Sequence, residues 1–568
     1  MRLNAPSMEP FDRTDPAGQP FHRRKRPTGS GLLLERQRPG IQTPQTYGVC
    51  EGLTEALLHF LIIFTPWAFG TTELWSIWTM NIAAYALGGL LLIKWLIRWR
   101  TGFELIRWGT DSRAGEILAI REKSLRIFTL SLAALTVMVL TYCLVSASNA
   151  RATYLPGQQR FEYHDYIRWL PHSYDSTSTW NALWSYLAMA LVFWAIRDWT
   201  LGKTSRELRE TQLENPASQP GFSTSAFGPG FSPPPQASRR EVLTVPSRLR
   251  RLLWVLCING ALVALEGILQ RLDGTNKLLW LVEPRFNNTA ESQFGPYAYR
   301  ANAAAYLNLI WPVCIGFWFA LNNHPSLNNS SGRRLGAGSH VMLLPCAVVM
   351  AASSIITTSR GGALTTLAMM LGATGVFLAT TRRESTLLRA SILATFVVIL
   401  GLAGYLGWQQ LRPRLEMVPL DEVAQRTEIY KNAEVVSRDF PLFGTGPGTF
   451  GSIYQLYKDP IQVWAAYAHD DWLETRITFG WAGFSLILAM LCLVLLGWCF
   501  GDGISSPPGF VAMIWLSLAG CLLHAKFDFP LQIHSVLLLF ILDCSLLFCL
   551  SRKNSTLART RPQHPIGG

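Results

Sequence analysis

Charge is what this chain has least of: Asp, Glu, Lys and Arg make up 15% of its 568 residues, against 49% that are hydrophobic. A soluble protein carries roughly a quarter of its residues as charges, so a water-facing globular surface is excluded. Cysteine is sparse outside the apolar stretches. Nine of the ten, from Cys143 to Cys549, lie inside them and read as small packing residues. No Cys-x-x-Cys pair and no Cys/His metal spacing occurs, so the sequence predicts no disulfide, no zinc or other metal and no cofactor. No G-x-G-x-x-G follows a strand, which removes a dinucleotide fold. No internal repeat supports the inverted-repeat architecture of secondary transporters.

Apolar windows fill the chain instead. Crossing a bilayer takes roughly 20 apolar residues per helix. Such windows fall at 52–70, 75–97, 127–148, 180–198, 251–270, 301–321, 339–357, 363–381, 389–408, 479–500, 509–526 and 531–550. The fold class expected is therefore an all-α integral membrane protein of about 12 transmembrane helices. The run Arg23, Arg24, Lys25 and Arg26 sits in a polar tail too long for the basic region of a cleavable signal peptide. With both termini cytoplasmic, roughly two-thirds of the basic residues fall in cytoplasmic segments, as the positive-inside rule requires. The net charge of +13 is then mainly a topology signal, with attraction to membrane lipids secondary and no nucleic-acid partner expected.

The chain divides into a disordered basic cytoplasmic tail (1–50), four transmembrane helices (51–200), a Pro/Gly/Ser-rich cytoplasmic linker (201–250), a membrane core (251–550) and a basic cytoplasmic tail (551–568). Three extracytoplasmic segments are long: 149–179, 271–300 and 409–478. The last, between helices 9 and 10, is long enough to need short helices of its own. Arg426, Tyr430 and Ala433 share one face at helical spacing, and Asp439-Phe440-Pro441 ends the pattern.

Three sets of residues there can carry chemistry. Arg360, in Ser359-Arg360-Gly361-Gly362, sits at the bilayer surface in a tight glycine turn between apolar spans. It either pairs with an anion or snorkels to close a hairpin. Arg426, with Arg438 in reserve, precedes a turn containing Gly444, Gly446 and Gly448, whose backbone amides either face an anion or merely shape a surface loop. His469-Asp470-Asp471-Trp472-Leu473-Glu474 precedes the tenth span. As a helical lead-in it puts His469 on a face with Leu473 and Arg476, and pairs Asp470 with Glu474 on another. His469 is either a general base or a structural histidine at the interface.

In their order along the chain these sets resemble the O-antigen ligase and polymerase family of bacterial envelope glycosyltransferases. The resemblance covers roughly 295–545 and rests on Thr357-Thr358-Ser359-Arg360-Gly361-Gly362, on Pro441-Leu442-Phe443-Gly444-Thr445-Gly446-Pro447-Gly448-Thr449-Phe450, and on His469-Asp470-Asp471-Trp472-Leu473-Glu474 with Phe479-Gly480-Trp481-Ala482-Gly483. It implies a multi-pass protein of the bacterial inner membrane that moves a glycan from a polyprenyl-diphosphate carrier to a hydroxyl on a glycan, lipid or protein, without metal or ATP. Under it Arg360 and Arg426 bind the donor diphosphate and His469 deprotonates the acceptor. Asp470, Asp471, Glu474, Gly444 and Gly446 support them. Relatives often show Asn-His after a Phe-Gly-Pro turn, where this chain has Phe294-Gly295-Pro296-Tyr297-Ala298-Tyr299-Arg300-Ala301-Asn302, so Arg300 and Asn302 are the substitutes expected. They also commonly have Asn where Asp470 stands. Lipid-core ligation, repeat-unit polymerisation and protein O-glycosylation share this chemistry. A lipid-linked oligosaccharide flippase is the reading from another class, with Glu266 and Asp543 as its intramembrane charges.

Overall fold

Long runs of Leu, Ile, Val, Ala, Phe and Trp leave the backbone of a membrane segment one local way to pair its N–H and C=O groups, the α-helix. The computed structural model describes residues 44–108, 116–203, 245–322, 340–380, 420–462, 464–500 and 504–551, with single helical positions between 390 and 401. In chain order its helices are α1 (Gln45–Trp67), α2 (Leu74–Thr101), α3 (Glu116–Ser148), α4 (Ser176–Leu201), α5 (Ser247–Asp273), α6 (Arg300–Asn322), α7 (Leu343–Ile356), α8 (Arg360–Thr380), α9 (Leu420–Asp439), α10 (Phe450–Tyr454), α11 (Asp471–Phe500), α12 (Pro508–His524) and α13 (His534–Cys549).

Among the described residues, eight of these are long and apolar enough to cross a membrane: α1 to α6, α8 and α11. Helices α7, α12 and α13 are apolar but shorter. Eleven of the stretches expected to span are thus helical, with shifted ends. The first helix begins at Gln45, behind Pro44, so Cys50 and Glu51 belong to it; an apolar window cannot see a polar first turn. The expected span 389–408 lies outside the described residues apart from isolated positions, as do most of both tails and of the linker.

The all-α expectation needs one local correction. In the segment 149–179, Ala152–Leu155 (β1) pairs antiparallel with Arg160–Tyr163 (β2), Ala152 opposite Tyr163. A shorter parallel pairing joins Ile504–Ser505 to Leu550–Ser551.

The described residues form one compact unit. α6 is its most buried span, lying against α7 and α12, and the run Ala303, Ala304, Ala305 lets its neighbours approach closely. At one end of the bundle a buried charge network ties the N-terminal helices to α5. Lys94 bridges Glu51 at 3.1 Å and Asp198 at 3.3 Å, Arg98 meets Asp198 at 2.8 Å, and Arg248 pairs with Glu51. At the other end the connecting segments converge. Tyr174 N–H donates to Thr445 O (2.8 Å), Arg271 reaches Gln293 O (3.0 Å) and Thr357 O (3.4 Å), and Asp471 N–H donates to Ala525 O (2.8 Å).

Candidate functional site

The amphipathic pattern read around Arg426 is α9, which stops where Pro441 denies it another turn. Ile429, Ala433 and Val436 bury its inner face against Phe450, Ile453 and Tyr454. Arg426 leaves the helix toward the bundle: Nη1 donates to Phe527 O at 3.1 Å and Nη2 to the Tyr299 hydroxyl at 3.4 Å. One turn on, Tyr430 donates its hydroxyl proton to the carbonyl of His469 at 2.9 Å.

That bond helps hold His469 in an unusual backbone state, φ +54°, in the left-handed region that few non-glycine residues occupy. His469 is therefore not on a helical lead-in, and it shares no helix face with Leu473 and Arg476. α11 begins at Asp471, and Asp470 caps it by accepting Leu473 N–H at 3.1 Å. Nor do Asp470 and Glu474 pair with each other. Asp470 takes the ammonium of Lys526, while Glu474 reaches back to Ala468 N–H at 2.7 Å. Asp471, buried, accepts Leu531 N–H at 2.8 Å. These acids shape and pin the segment that presents the imidazole.

The imidazole meets Asp528, with Nδ1 and Oδ1 3.1 Å apart. Oδ2 of Asp528 accepts the Tyr299 hydroxyl at 3.1 Å. Burial favours the neutral acid at Asp528, but the hydrogen bond and charge of His469, with His524 and Arg426, outweigh it and hold the carboxyl below its usual range. An ionised Asp528 can only accept, so Nδ1 of His469 carries the proton of this bond. Phe529 sets the ring plane, meeting it edge-on at 4.9 Å while stacking on Tyr299 at 5.4 Å and Tyr467 at 4.4 Å. The His469 side chain keeps 25% exposure, enough for a ligand to reach it.

Arg360 opens α8 beside this cluster. Its turn is made by a threonine rather than by glycine: Thr358 holds φ +57°, and Ser359 caps α8 by accepting Gly362 N–H at 3.2 Å. The glycines serve close packing, since a Cβ on Gly361 would lie 3.4 Å from the ring of His524, and one on Gly362 would lie 2.5 Å from Ala304. His524 stands four residues before Asp528 and is buried.

The glycine turn is not an anion cradle at Thr445 and Gly446. Thr445 and Gly446 donate their N–H groups to Ile477 O and Thr478 O, both at 2.9 Å, while Trp481 and Ala482 donate to Pro441 O (2.8 Å) and Leu442 O (3.1 Å). These four bonds fill a break in α11 at Gly480 (φ +59°, ψ −175°). Tyr142 seals it, its hydroxyl 2.6 Å from Phe443 O and 2.8 Å from Phe479 O. Gly444 and Gly446 are thus structural, packed where a side chain would strike Ile477 and Ser173.

Arg438 stands three turns along α9 from Arg426, about 18 Å away by helical rise, and pairs with Glu434 on an exposed surface. Arg300 donates to Glu291 O at 2.9 Å and Asn302 is buried at the start of α6, whereas Tyr299 between them enters the cluster. Tyr299, Asp528 and Phe529 were not singled out from the sequence. Only the aspartate left a trace, as a lone acid in the short polar break before the last helix. Among the described residues, no three His, Cys, Asp or Glu side chains converge on a metal-sized site.

Apolar helices in this number define a multi-pass helical membrane protein, with a carboxylate-bound histidine and an arginine where their loops converge at one end of its bundle. Residues 345–488, about a quarter of the chain, match the family model described as O-Antigen ligase, which supports assignment to that family. The matched segment holds Arg360, Arg426 and His469 and ends before Asp528. No curated protein matches the chain.

Proposed function

We propose that this protein transfers a glycan from a polyprenyl-diphosphate carrier to a hydroxyl acceptor on the outer face of the bacterial inner membrane. The observation that carries this reading is His469 held by Asp528 with Arg426 beside them. A base oriented by a carboxylate is the arrangement that activates a weak oxygen nucleophile. Nε2 of His469 takes the proton of the acceptor hydroxyl, and that oxygen bonds to the anomeric carbon. The bond from this carbon to the diphosphate oxygen breaks, and its electron pair leaves with the polyprenyl diphosphate. Arg426 and Arg360 bind that diphosphate, and their planar guanidinium forks match its oxygens as charge grows on them. The carrier bond is already activated, so neither ATP nor a metal ion has a part in this reading.

The same reading puts both termini and the 201–250 linker in the cytoplasm. The acceptor is a lipid-linked core sugar, a growing chain or a protein, and the three share every step above. Transport of the intact carrier has less support, because Asp543 is occupied in packing, accepting Ser517 at 2.7 Å. Proteoliposomes supplied with lipid-linked glycan and a hydroxyl acceptor separate the two. Transfer leaves free polyprenyl diphosphate and a glycosylated acceptor, whereas an intact carrier moved across the bilayer with no transfer overturns the proposal.

A further inference from the structure

Among the described residues, α5 leaves Ile258, Leu262, Leu265, Leu269 and Leu272 exposed, at alternating steps of four and three. One stripe of this membrane-crossing helix therefore faces out of the bundle, toward lipid. The stripe does not stop where the helix does. Past Asp273 the chain makes a tight loop in which Trp280, Leu281, Val282 and Phe286 are exposed, Leu281 at 74% and Phe286 at 77%. Single exposed apolar residues are ordinary, but these four within seven positions, at the end of a lipid-facing stripe, form a patch. Lys277 and Arg285, both exposed, flank it, with Glu283 the one acid between them. The loop is built rather than draped. Leu278 and Val282 exchange backbone hydrogen bonds at 2.8 and 3.2 Å around Leu279 and Trp280, which hold φ +54° and +60°, a costly state for bulky side chains. Nε1 of Trp280 donates to Oδ2 of Asp273 at 2.9 Å, folding the loop back to the end of α5. Buried Gln293 clamps both ends of the loop, donating from Nε2 to Asn276 O at 3.0 Å and to Asn287 O at 2.8 Å.

We propose that residues 278–286 are an interfacial anchor, seated in the lipid leaflet on the site side of the membrane. Trp280, Leu281, Val282 and Phe286 enter the upper acyl chains, and Lys277 and Arg285 reach lipid phosphates. An indole whose N–H is satisfied and whose body is apolar suits that boundary. The occupant is the bilayer rather than a second protein, because the patch continues the lipid-facing stripe of α5 and is folded back to the level where that helix ends. The anchor is also tied to the site. Arg271, in the last turn of α5, holds Gln293 O and Thr357 O, so the loop fixes the height of the bilayer surface against the turn that precedes Arg360. None of this depends on the glycosyltransferase reading.

The test uses the full-length protein, lacking native cysteines, in phosphatidylcholine liposomes. Leu281→Cys and Phe286→Cys, each carrying an environment-sensitive fluorophore, lose most of their emission to phosphatidylcholine with a nitroxide near the headgroup. They lose less to one with the nitroxide near the chain end, and little to iodide in the water. Leu456→Cys, exposed on the connecting segment after α10, shows the reverse order. Quenching of the loop positions by iodide but not by lipid puts the loop in water and overturns the proposal. Protection from both quenchers means that protein covers the patch, and overturns it equally. A second measurement needs no substitution: phosphatidylcholine with a photoreactive group near its headgroup labels the peptide 277–287 of the unmodified protein. Labelling that spares this peptide while marking the transmembrane helices overturns the anchor.

Discussion

Oδ1 of Asp528 lies 3.1 Å from Nδ1 of His469, a residue 59 positions earlier in the chain. The aspartate sits in the turn between α12 and α13 and the histidine in the approach to α11, so the pair exists only when these helices pack with the turn on the loop side. One oxygen of Asp528 orients the imidazole while the other is held by Tyr299. The imidazole is thereby held in direction by its Nδ1 edge.

If His469 takes the acceptor's proton, His469→Ala binds the lipid-linked donor almost normally and transfers its glycan roughly 10²–10⁴-fold more slowly. Single-turnover transfer and donor binding, measured separately, check this. A variant that transfers at the unmodified rate removes His469 from the mechanism.

Asp528→Asn keeps the shape of the pair but supplies an amide that can donate to Nδ1 and so favours the wrong tautomer. Transfer falls, because a lone pair held on Nδ1 leaves Nε2 protonated and unable to accept. Stability carries a second signature. The folded Asp528 carboxyl is held below its unfolded range, so its contribution is present above about pH 4 and is lost as pH falls through the lower folded value. Melting curves of the two proteins in detergent accordingly differ near neutrality and converge in acid.

Arg426→Lys and Arg360→Lys insert normally but lose most activity, by about 2.7–4 kcal/mol of transition-state stabilisation each, because an ammonium lacks the bidentate fork. Arg438→Ala, whose partner is the exposed Glu434, leaves turnover near normal. Steady-state kinetics on all three checks the division. Equal losses at Arg438 and Arg426 would mean that α9 presents the diphosphate to its far end.

Gly480→Ala destabilises the protein by roughly 1–3 kcal/mol or more, since φ +59° with ψ −175° belongs almost wholly to glycine. Its Cβ would also strike Leu442 O. Gly444→Ala behaves alike, against Ile477 O at 2.5 Å. Thermal stability in detergent reports both, and unchanged melting would show that the break is not held by these glycines.

Leu456→Cys, exposed after α10, reacts with a membrane-impermeant thiol reagent from the extracytoplasmic side in a background lacking native cysteines. Labelling from the cytoplasm alone would leave the substrate no route to His469.

The apolar helices were legible because apolar length is a local property, although among the described residues only eight of them are long enough to cross a membrane. Each of eleven windows could be read within itself, and so could α9, whose apolar positions repeat at helical spacing. The backbone at His469 was not, because the partner its carbonyl finds, Tyr430, lies 39 residues away. The reading around the Phe-Gly-Pro turn went to Arg300 and Asn302 by analogy of residue type, while the fold turns Tyr299 inward. Asp528 shows in the sequence only as a lone acid in a polar break, with nothing local to tie it to His469. The glycines from 444 to 448 suggested an anion cradle by composition, and only the structure shows Thr445 and Gly446 giving their N–H groups to a broken helix.

That broken helix makes the far end of α9 and the lower part of α11 a single mechanical piece. The four bonds between 441–446 and 477–482 act as a hinge pin, reinforced by Arg476, which holds Ser437 at 2.9 Å and lies over Trp481 at 5.1 Å. A thicker or thinner bilayer that retilts α11 below Gly480 must swing α9 with it, and with α9 the arm that carries Arg426.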